Sequence, residues 1–87
     1  MPLPSPQPFS TQGRSLEVRA IPQTDRWEVR VFEGKRPATA VTYSIDYLTE
    51  LGARAQGIDW VSVQALMGLA REDIETGRVL LLPENSN

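Results

Sequence analysis

Two neighbouring segments with alternating apolar and polar residues predict a β-hairpin. In residues 26–32 the apolar positions of the alternation are Trp27, Val29 and Val31, and charged residues lie between them. Residues 16–21 alternate in the same way. A period of two is typical of strands that bury one face, and branched and aromatic side chains suit a pleated surface. We therefore expect a two-stranded ribbon with one apolar face and one charged face.

The register that best matches these strands has a four-residue loop at 22–25. It places apolar side chains opposite one another on one face and opposite charges on the other, and each such pair contributes roughly 0.2–1 kcal/mol. A shift by one residue would turn the charged side chains into the core. The predicted pairs are Ala20 with Trp27, Val18 with Val29, Leu16 with Val31, Arg19 with Glu28, and Glu17 with Arg30.

A third strand is predicted over residues 38–43, after a turn that contains Gly34. A three-residue loop at 34–36 would place the larger apolar side chains of this strand on the face of Trp27. A loop of two or four residues would instead place the alanines there, so we expect the three-residue loop. The expected pairs are Val31 with Thr39, Val29 with Val41, and Trp27 with Tyr43.

The segment after the third strand predicts an amphipathic helix that ends at Gly57. Ser44 is a suitable N-cap residue, and Asp46 would lie in the first turn, where the helix dipole favours an acid. Apolar residues recur at helical spacing and predict the buried face of this helix. They are Ile45, Leu48, Leu51, Gly52 and Ala55.

A second amphipathic helix is predicted to begin at Asp59 or Ser62, either of which could cap it, and to end at Gly77. Trp60 lies at its entrance, and we expect this side chain to pack on the core. The predicted buried stripe consists of Val63, Leu66, Met67, Ala70 and Ile74. These two helices and the three strands have an order that is typical of an α+β fold.

The ends of the chain differ from its middle. Residues 1–14 carry prolines at every second position from 2 to 8, which predicts a disordered Pro-rich tail. Residues 79–82 are all apolar and predict either a fourth strand or a buried extended strap, and residues 84–87 predict a second tail. We therefore expect one α+β domain over residues 15–83: a three-stranded antiparallel meander with two α-helices packed on one face.

The chain contains neither cysteine nor histidine, and this narrows its chemistry. Disulfides, zinc–thiolate sites and thiol catalysis are excluded, and the commonest general base and metal ligand is missing. We therefore predict no cofactor and no metal site. No segment approaches the roughly 20 apolar residues of a membrane span, and the N-terminus does not resemble a secretory signal. The expected location is cytoplasmic, without membrane binding.

Two polar clusters have a catalytic interpretation and a simpler structural one. The acids of residues 72–75 would point in different directions on a helix, so we interpret them as a solvated helix end. In the cluster Tyr43, Ser44, Asp46 and Tyr47, only Asp46 could serve as the base that a hydroxyl nucleophile needs. We interpret this cluster as a strand-to-helix junction, and the sequence does not predict an enzyme.

The charged face of the hairpin is the candidate interaction surface. An aromatic ring beside arginines on a sheet is how some proteins stack single-stranded bases. Residues 14–36 carry six basic and four acidic side chains, and the predicted pairs would neutralise two of the arginines. A nucleic-acid-binding domain is usually far more basic. The candidate residues are Arg19, Ile21, Glu28, Arg30, Phe32, Lys35 and Arg36.

We therefore expect a small, non-catalytic protein-interaction module. It would bind an unidentified protein partner, or a second copy of itself, through the open face or a free edge of the sheet. Weak nucleic-acid binding through the same face is the alternative, and the neutralising glutamates make it the less favoured one.

Overall fold

The computed structural model describes residues 3–84 and confirms the α+β class, with an antiparallel sheet and two helices. The second helix packs across one face of the sheet, and the first helix contacts its last strand. The elements are β1 (Gln7–Thr11), β2 (Arg14–Pro22), β3 (Arg26–Glu33), β4 (Arg36–Pro37), β5 (Tyr43–Asp46), α1 (Tyr47–Ala55) and α2 (Val63–Glu75). Strands β4 and β5 both pair with β3, on the side away from β2.

The core lies between the apolar face of the sheet and α2, as the alternation predicts. Trp27, Val29 and Val31 are buried, and so are Leu16 and Val18 on the neighbouring strand. The stripe predicted for α2 is confirmed, since four of its five members are buried and the fifth packs against them. Together, the buried core consists of Phe9, Leu16, Val18, Trp27, Val29, Val31, Ala38, Val63, Met67, Ala70 and Ile74.

The register of the β2–β3 hairpin differs from the prediction by two residues. Val18 lies opposite Val31, and Arg19 lies opposite Arg30. A shift of two residues keeps each side chain on its predicted face, which is why the core is right although the pairs are wrong. The predicted charge pairs on the outer face are therefore wrong: Glu17 lies opposite Phe32, Arg19 opposite Arg30, and Ile21 opposite Glu28.

The cause of this shift is the loop, which has two residues instead of the four that we expected. Pro22 continues β2 and lies opposite Trp27. The Gln23 N–H donates to the Arg26 carbonyl at 2.8 Å, so that only residues 24 and 25 form the turn. Proline is tolerated at the end of a strand, because it has no N–H that must be paired in the ladder.

The predicted third strand is interrupted. The turn at Gly34 has two residues, not three, and Gly34 adopts a positive φ of 63°. After the short strand β4, the Ala38 N–H still donates to Val31 at 2.8 Å, and the chain then leaves the ladder until residue 43. The three-residue loop and the expected pairs are therefore wrong.

Strand β5 confirms part of the prediction for the third strand. Tyr43 faces the core as expected, but it lies opposite Val29, and Ile45 takes the place opposite Trp27. Val41 is exposed instead of packing on the hairpin. Because Ile45 belongs to β5, the helix begins later than predicted.

Strand β1 lies inside the segment that we expected to be a disordered tail, so that expectation is wrong for Gln7–Thr11. Gln12 and Gly13 both have a positive φ, as a tight two-residue hairpin turn requires. Phe9 is buried opposite Leu16 and anchors the strand to the core. Residues 1 and 2 of the predicted tail lie outside the described residues.

The exposure of side chains on helix α1 contradicts the buried stripe that was predicted for it. Asp46 is the N-cap residue, without a side-chain capping bond, and Ser44 is part of β5. Leu48 and Leu51 are 82% and 58% exposed, whereas Glu50 is only 4% exposed. The end of the helix is as predicted, since the C-cap residue directly precedes Gly57.

The start of α2 confirms Ser62 as its cap, because the Ala65 N–H donates to the Ser62 hydroxyl at 3.1 Å. The expectation for Trp60 is wrong: this side chain is 74% exposed. The helix ends at Glu75, and its C-cap residue Thr76 directly precedes Gly77. Within residues 3–84, no helix has both the length and the apolar content that crossing a membrane requires.

The C-terminal residues 79–82 form an extended strap and not a strand. Val79 and Leu81 pack on the core, and the Leu82 N–H donates to the Ala38 carbonyl at 2.7 Å. Leu80 points away and is 79% exposed, so the expected burial holds only for alternate residues. In the second predicted tail, residues 85–87 lie outside the described part of the chain.

Candidate interaction surfaces

The outer face of the sheet brings three of the predicted residues together. The guanidinium carbon of Arg19 lies 4.5 Å from the centroid of the Phe32 ring, and that of Arg30 lies 5.7 Å from it. Arg19 and Arg30 are also cross-strand neighbours. These distances are typical of cation–π contacts, which hold the two cations against one aromatic ring.

The other predicted residues are more dispersed. Ile21 and Glu28 face each other toward the far end of the hairpin, and Lys35 lies in the turn after β3. Arg36 lies opposite Glu33, which places it on the opposite side of the sheet from Phe32. The prediction that Arg36 shares the outer face is therefore wrong, and the two-residue turn is the reason.

The outer face is more basic than the predicted pairs imply. Arg19 pairs with Glu17 of its own strand, with Nε and Oε1 2.6 Å apart, and its other nitrogen donates to a backbone carbonyl. Glu28 lies 3.7 Å from Arg26. Arg30 forms no salt bridge with a residue that the structure describes, and its buried Nε has no hydrogen-bond partner there. One arginine of the stack thus keeps an unneutralised charge.

On the side that carries the helices, Arg14 and Glu33 form a two-point ion pair. The Arg14 Nε and terminal nitrogen lie 3.1 and 2.6 Å from the two carboxylate oxygens of Glu33. This hydrogen bonding lowers the pKa of Glu33 below its ordinary value and raises that of Arg14. The pair ties the start of β2 to the end of β3.

The free edge of β5 forms a second candidate surface. Its backbone pairs with β3 on one side, and on the other side no backbone partner lies within residues 3–84. Beside this edge, between β5 and α2, runs a groove of about 250 Å³. We call it the β5 groove. Its apolar lining consists of Ile45, Trp60, Val61, Ala65, Leu66 and Leu69, and its polar lining of Ser44, Thr49 and Ser62.

A buried carboxylate fixes the segment that shapes this groove. Glu50 of α1 accepts a hydrogen bond of 2.6 Å from the Val63 N–H in the first turn of α2. The linker 56–62 must therefore turn tightly between the two helices, and Trp60 is left at the groove. Sequence reasoning missed this contact because an acid four residues before Arg54 is usually a surface residue.

Among the described residues, no hydroxyl of the cluster considered for catalysis donates a hydrogen bond to Asp46, the base that the sequence offers. Tyr43 faces α2, and its hydroxyl donates to Asp73 at 2.7 Å, whereas Asp46 lies on the other face of β5 by strand alternation. Burial, assisted by the bond to Asp73, raises the pKa of Tyr43 to about 12. The Tyr47 hydroxyl donates to the Gln23 carbonyl.

Two of the three acids near the end of α2 are engaged in local side-chain contacts. Asp73 accepts from Tyr43 and lies 3.6 Å from Arg78, while Glu75 pairs with Arg71 at 3.1 Å. Across residues 3–84, no group of three or more acidic side chains is arranged to hold a metal ion.

Comparisons of the chain with protein-family models, with curated proteins and with solved structures gave no match. The fold and the two surfaces are therefore the basis for a functional proposal.

Proposed function

We propose that this protein is an interaction module that binds an extended polypeptide segment of a partner at the free edge of β5. The partner would pair its backbone with β5 and place an apolar side chain in the β5 groove. The observation that carries the proposal is the position of an apolar groove, with an exposed tryptophan, directly beside an unpaired strand edge. Strand addition of this kind takes affinity from the backbone and specificity from such grooves.

The chemistry of the edge favours a strand as the ligand. An edge strand presents a row of unpaired N–H and C=O groups, and only another extended backbone matches their spacing. The four residues of β5 offer roughly 13 Å of edge at about 3.3 Å per residue, enough for a short peptide. Exposed aromatic residues such as Trp60 are frequent anchors in protein interfaces.

The edge is favoured over the open sheet face because of its apolar content. On the open face, Phe32 is covered by two arginines, and its neighbours in the ladder are largely charged. Apolar side chains dominate the lining of the β5 groove and remain open to solvent. Burial of apolar area drives most protein association, at roughly 25 cal/mol per Å².

The test begins with a displayed library of short random peptides selected on the intact protein. We expect enriched peptides with apolar residues at alternate positions, whose binding shifts the backbone amide signals of Ser44 and Ile45. Leu69→Glu should weaken binding about tenfold or more, because it places a charge in the groove. Leu80→Glu is the matched control, since Leu80 is exposed on the C-terminal strap, away from the groove.

Two outcomes would contradict the proposal. One is equal binding of the selected peptides to the Leu69→Glu variant. The other is undiminished binding of peptides that are N-methylated at every backbone nitrogen, since these have no N–H left to donate in a β-ladder with β5. Sedimentation at rising concentration adds a test of the partner: a dimer that Leu69→Glu dissociates would make a second copy of the chain the occupant of the edge.

Single-stranded nucleic acid is the second candidate ligand, at the outer face. It is supported by the stack of Arg19 and Arg30 on Phe32, together with the unneutralised charge of Arg30. A fluorescent single-stranded DNA should bind at low salt and dissociate steeply as salt rises. Arg30→Glu should abolish this binding, whereas the exposed Arg78→Glu, with the same change of charge, should not. Absence of binding at low salt would exclude this candidate.

A further inference from the structure

Helix α1 has an apolar face that no other element within residues 3–84 covers. Leu48 and Leu51 are 82% and 58% exposed, and Gly52 and Ala55 are exposed beside them. These four residues follow one another at intervals of three, one and three, which places them on one side of a helix. We call them the α1 stripe. None of them lines the β5 groove, so the stripe is a separate surface.

Gly52 lies in the middle of this stripe, where alanine would make a more stable helix. Glycine is the least favourable residue after proline in a helix interior, because it loses the most backbone freedom on folding. Its φ is not positive, and beyond its own turn of helix a Cβ atom there would meet no heavy atom of residues 3–84 within 4 Å. The fold of one chain therefore does not require glycine at this position. A small residue on an apolar helix face lets a second helix approach closely.

The two ends of α1 carry opposite charges on the same flank of the stripe. Asp46, the N-cap residue, is exposed and makes no ion pair or side-chain hydrogen bond with a residue that the structure describes. Arg54, in the last turn, has a side chain that is 59% exposed and lies 4.0 Å from Glu50. Tyr47 lines one cavity together with Asp46 and another together with Arg54. The acid and the base therefore both lie on the Tyr47 side of the stripe.

We propose that the α1 stripe binds the same stripe of a second copy of this chain, with the two α1 helices antiparallel about a two-fold axis at the height of Glu50. In this register Leu48 lies level with the partner's Gly52, and Asp46 lies level with the partner's Arg54. A two-fold axis of this kind keeps each flank on its own side, so that the Tyr47 sides of both helices meet. One register therefore places each leucine over a glycine and each acid beside a base.

The size of the surface indicates a weak, reversible dimer. The nine residues of α1 extend about 14 Å at roughly 1.5 Å per residue. Two such helices bury less than the roughly 800 Å² per partner of a standard interface, so we expect a dissociation constant on the order of 0.1 mM. Sedimentation from about 10 μM to about 1 mM protein should show a rising mass. Dilution over the same range should shift the backbone amide signals of Gly52 and Ala55 in NMR spectra.

Substitutions on the stripe test the contact. Leu51→Glu should weaken the dimer about tenfold or more, because it places a charge in an apolar interface, whereas Leu80→Glu, at an exposed leucine of the strap, should not. Gly52→Ala should raise the urea midpoint of the dilute monomer and yet weaken the dimer severalfold, because the added methyl group meets the partner's Leu48. A loss of helix stability cannot produce that combination. Leu69→Glu should leave this dimer intact, which distinguishes it from a dimer at the β5 edge.

An exchange of charges tests the register. Asp46→Lys and Arg54→Glu should each dissociate the homodimer, because like charges then meet at both ends of the helix pair. An equimolar mixture of the two variants should form a heterodimer of about the original affinity. In that heterodimer the introduced lysine meets the introduced glutamate, and the unchanged Asp46 meets the unchanged Arg54. Mixing does not alter the fold of either variant, so the recovery reports on the interface alone.

Several results would overturn the proposal. A protein that stays monomeric up to about 1 mM would leave the stripe to a different partner. A dimer that Leu51→Glu leaves intact, or that Leu69→Glu dissociates, would lie on another surface. A mixture of the two charge variants that stays monomeric would rule out the antiparallel register.

Discussion

Glu50 is a buried acid whose position is explained by the helix that follows it. A carboxylate removed from water is costly unless donors surround it. The first turn of a helix supplies such donors, because its N–H groups have no partner within the helix and the dipole is positive there. Glu50 accepts one of these N–H groups, from Val63, at 2.6 Å. This bond holds α1 to the domain although the leucines of α1 face solvent.

The first prediction concerns this bond. Glu50→Ala should lower the free energy of unfolding by about 1–3 kcal/mol, because it leaves the Val63 N–H buried without an acceptor. Glu50→Gln should cost less, since the amide oxygen can still accept. Urea denaturation measures both, and Glu72→Ala, at an exposed position on α2, is the control. Equal stability of the Glu50→Ala and Glu72→Ala variants would contradict the role of this bond.

The second prediction concerns the contribution of Tyr43 to stability at alkaline pH. Its pKa is about 12 in the folded protein, above the ordinary value of 10.0. Below pH 10 the phenol is neutral in both states, and its contribution to stability is fully present. As the pH rises from 10 toward 12, the unfolded chain ionises first and stability falls. Urea denaturation over this range should show that the fall is shallower for Tyr43→Phe. A fall of unchanged slope would show that Tyr43 is not its cause.

At the scale of elements, alternation predicts faces more reliably than partners. It placed Val18 and Val31 in the core correctly, because a strand side chain can take only two directions. It could not distinguish registers that differ by two residues, since both keep the same faces. The loop decides between them, and Pro22, which the sequence predicts in the loop, extends β2 in the structure.

The register can be tested directly because the chain has no cysteine. Directly opposite residues have Cα atoms about 4.5–5.5 Å apart, within the range of a disulfide, whereas diagonal neighbours are about 7–8 Å apart. We expect the double variant Arg19→Cys, Arg30→Cys to form an intramolecular disulfide on mild oxidation, measured by mass and by mobility without reductant. The double variant Arg19→Cys, Glu28→Cys should stay reduced as a monomer. The opposite result would restore the register with a four-residue loop.

Helix α1 and strand β1 show two further limits of pattern reading. The spacing of Leu48 and Leu51 correctly indicates a helix, but periodicity does not say whether an apolar stripe meets the core or solvent. Pro8 and its neighbours suggest a disordered tail, yet a proline is compatible with an edge strand, and β1 is one. Phe9 is the residue of that segment that the structure buries.

At the scale of the molecule, the sheet separates two surfaces of different chemistry. The outer face carries the stack of Arg19, Arg30 and Phe32, which sequence reasoning placed together correctly. The β5 groove lies on the side of the helices, and the sequence does not predict it, because the pattern places Trp60 in the core. Which strand edge is free depends on the order of the strands in the sheet. A groove beside that edge depends on where the helix lies. Alternation and spacing along the sequence give neither of these.

Because these surfaces lie on opposite faces of the sheet, ligands of the two should bind independently. We expect Leu69→Glu to weaken peptide binding about tenfold or more without changing the affinity for single-stranded DNA, and Arg30→Glu to abolish DNA binding without changing the affinity for the peptide. Salt should separate them as well. For contacts with phosphates, the logarithm of the binding constant falls linearly with the logarithm of the salt concentration, whereas apolar burial and backbone pairing change little. Fluorescence anisotropy with each ligand, over a series of salt concentrations, measures both effects. If either variant abolished both activities, the two ligands would share one surface, and the division of the molecule into a basic face and an apolar edge would be wrong.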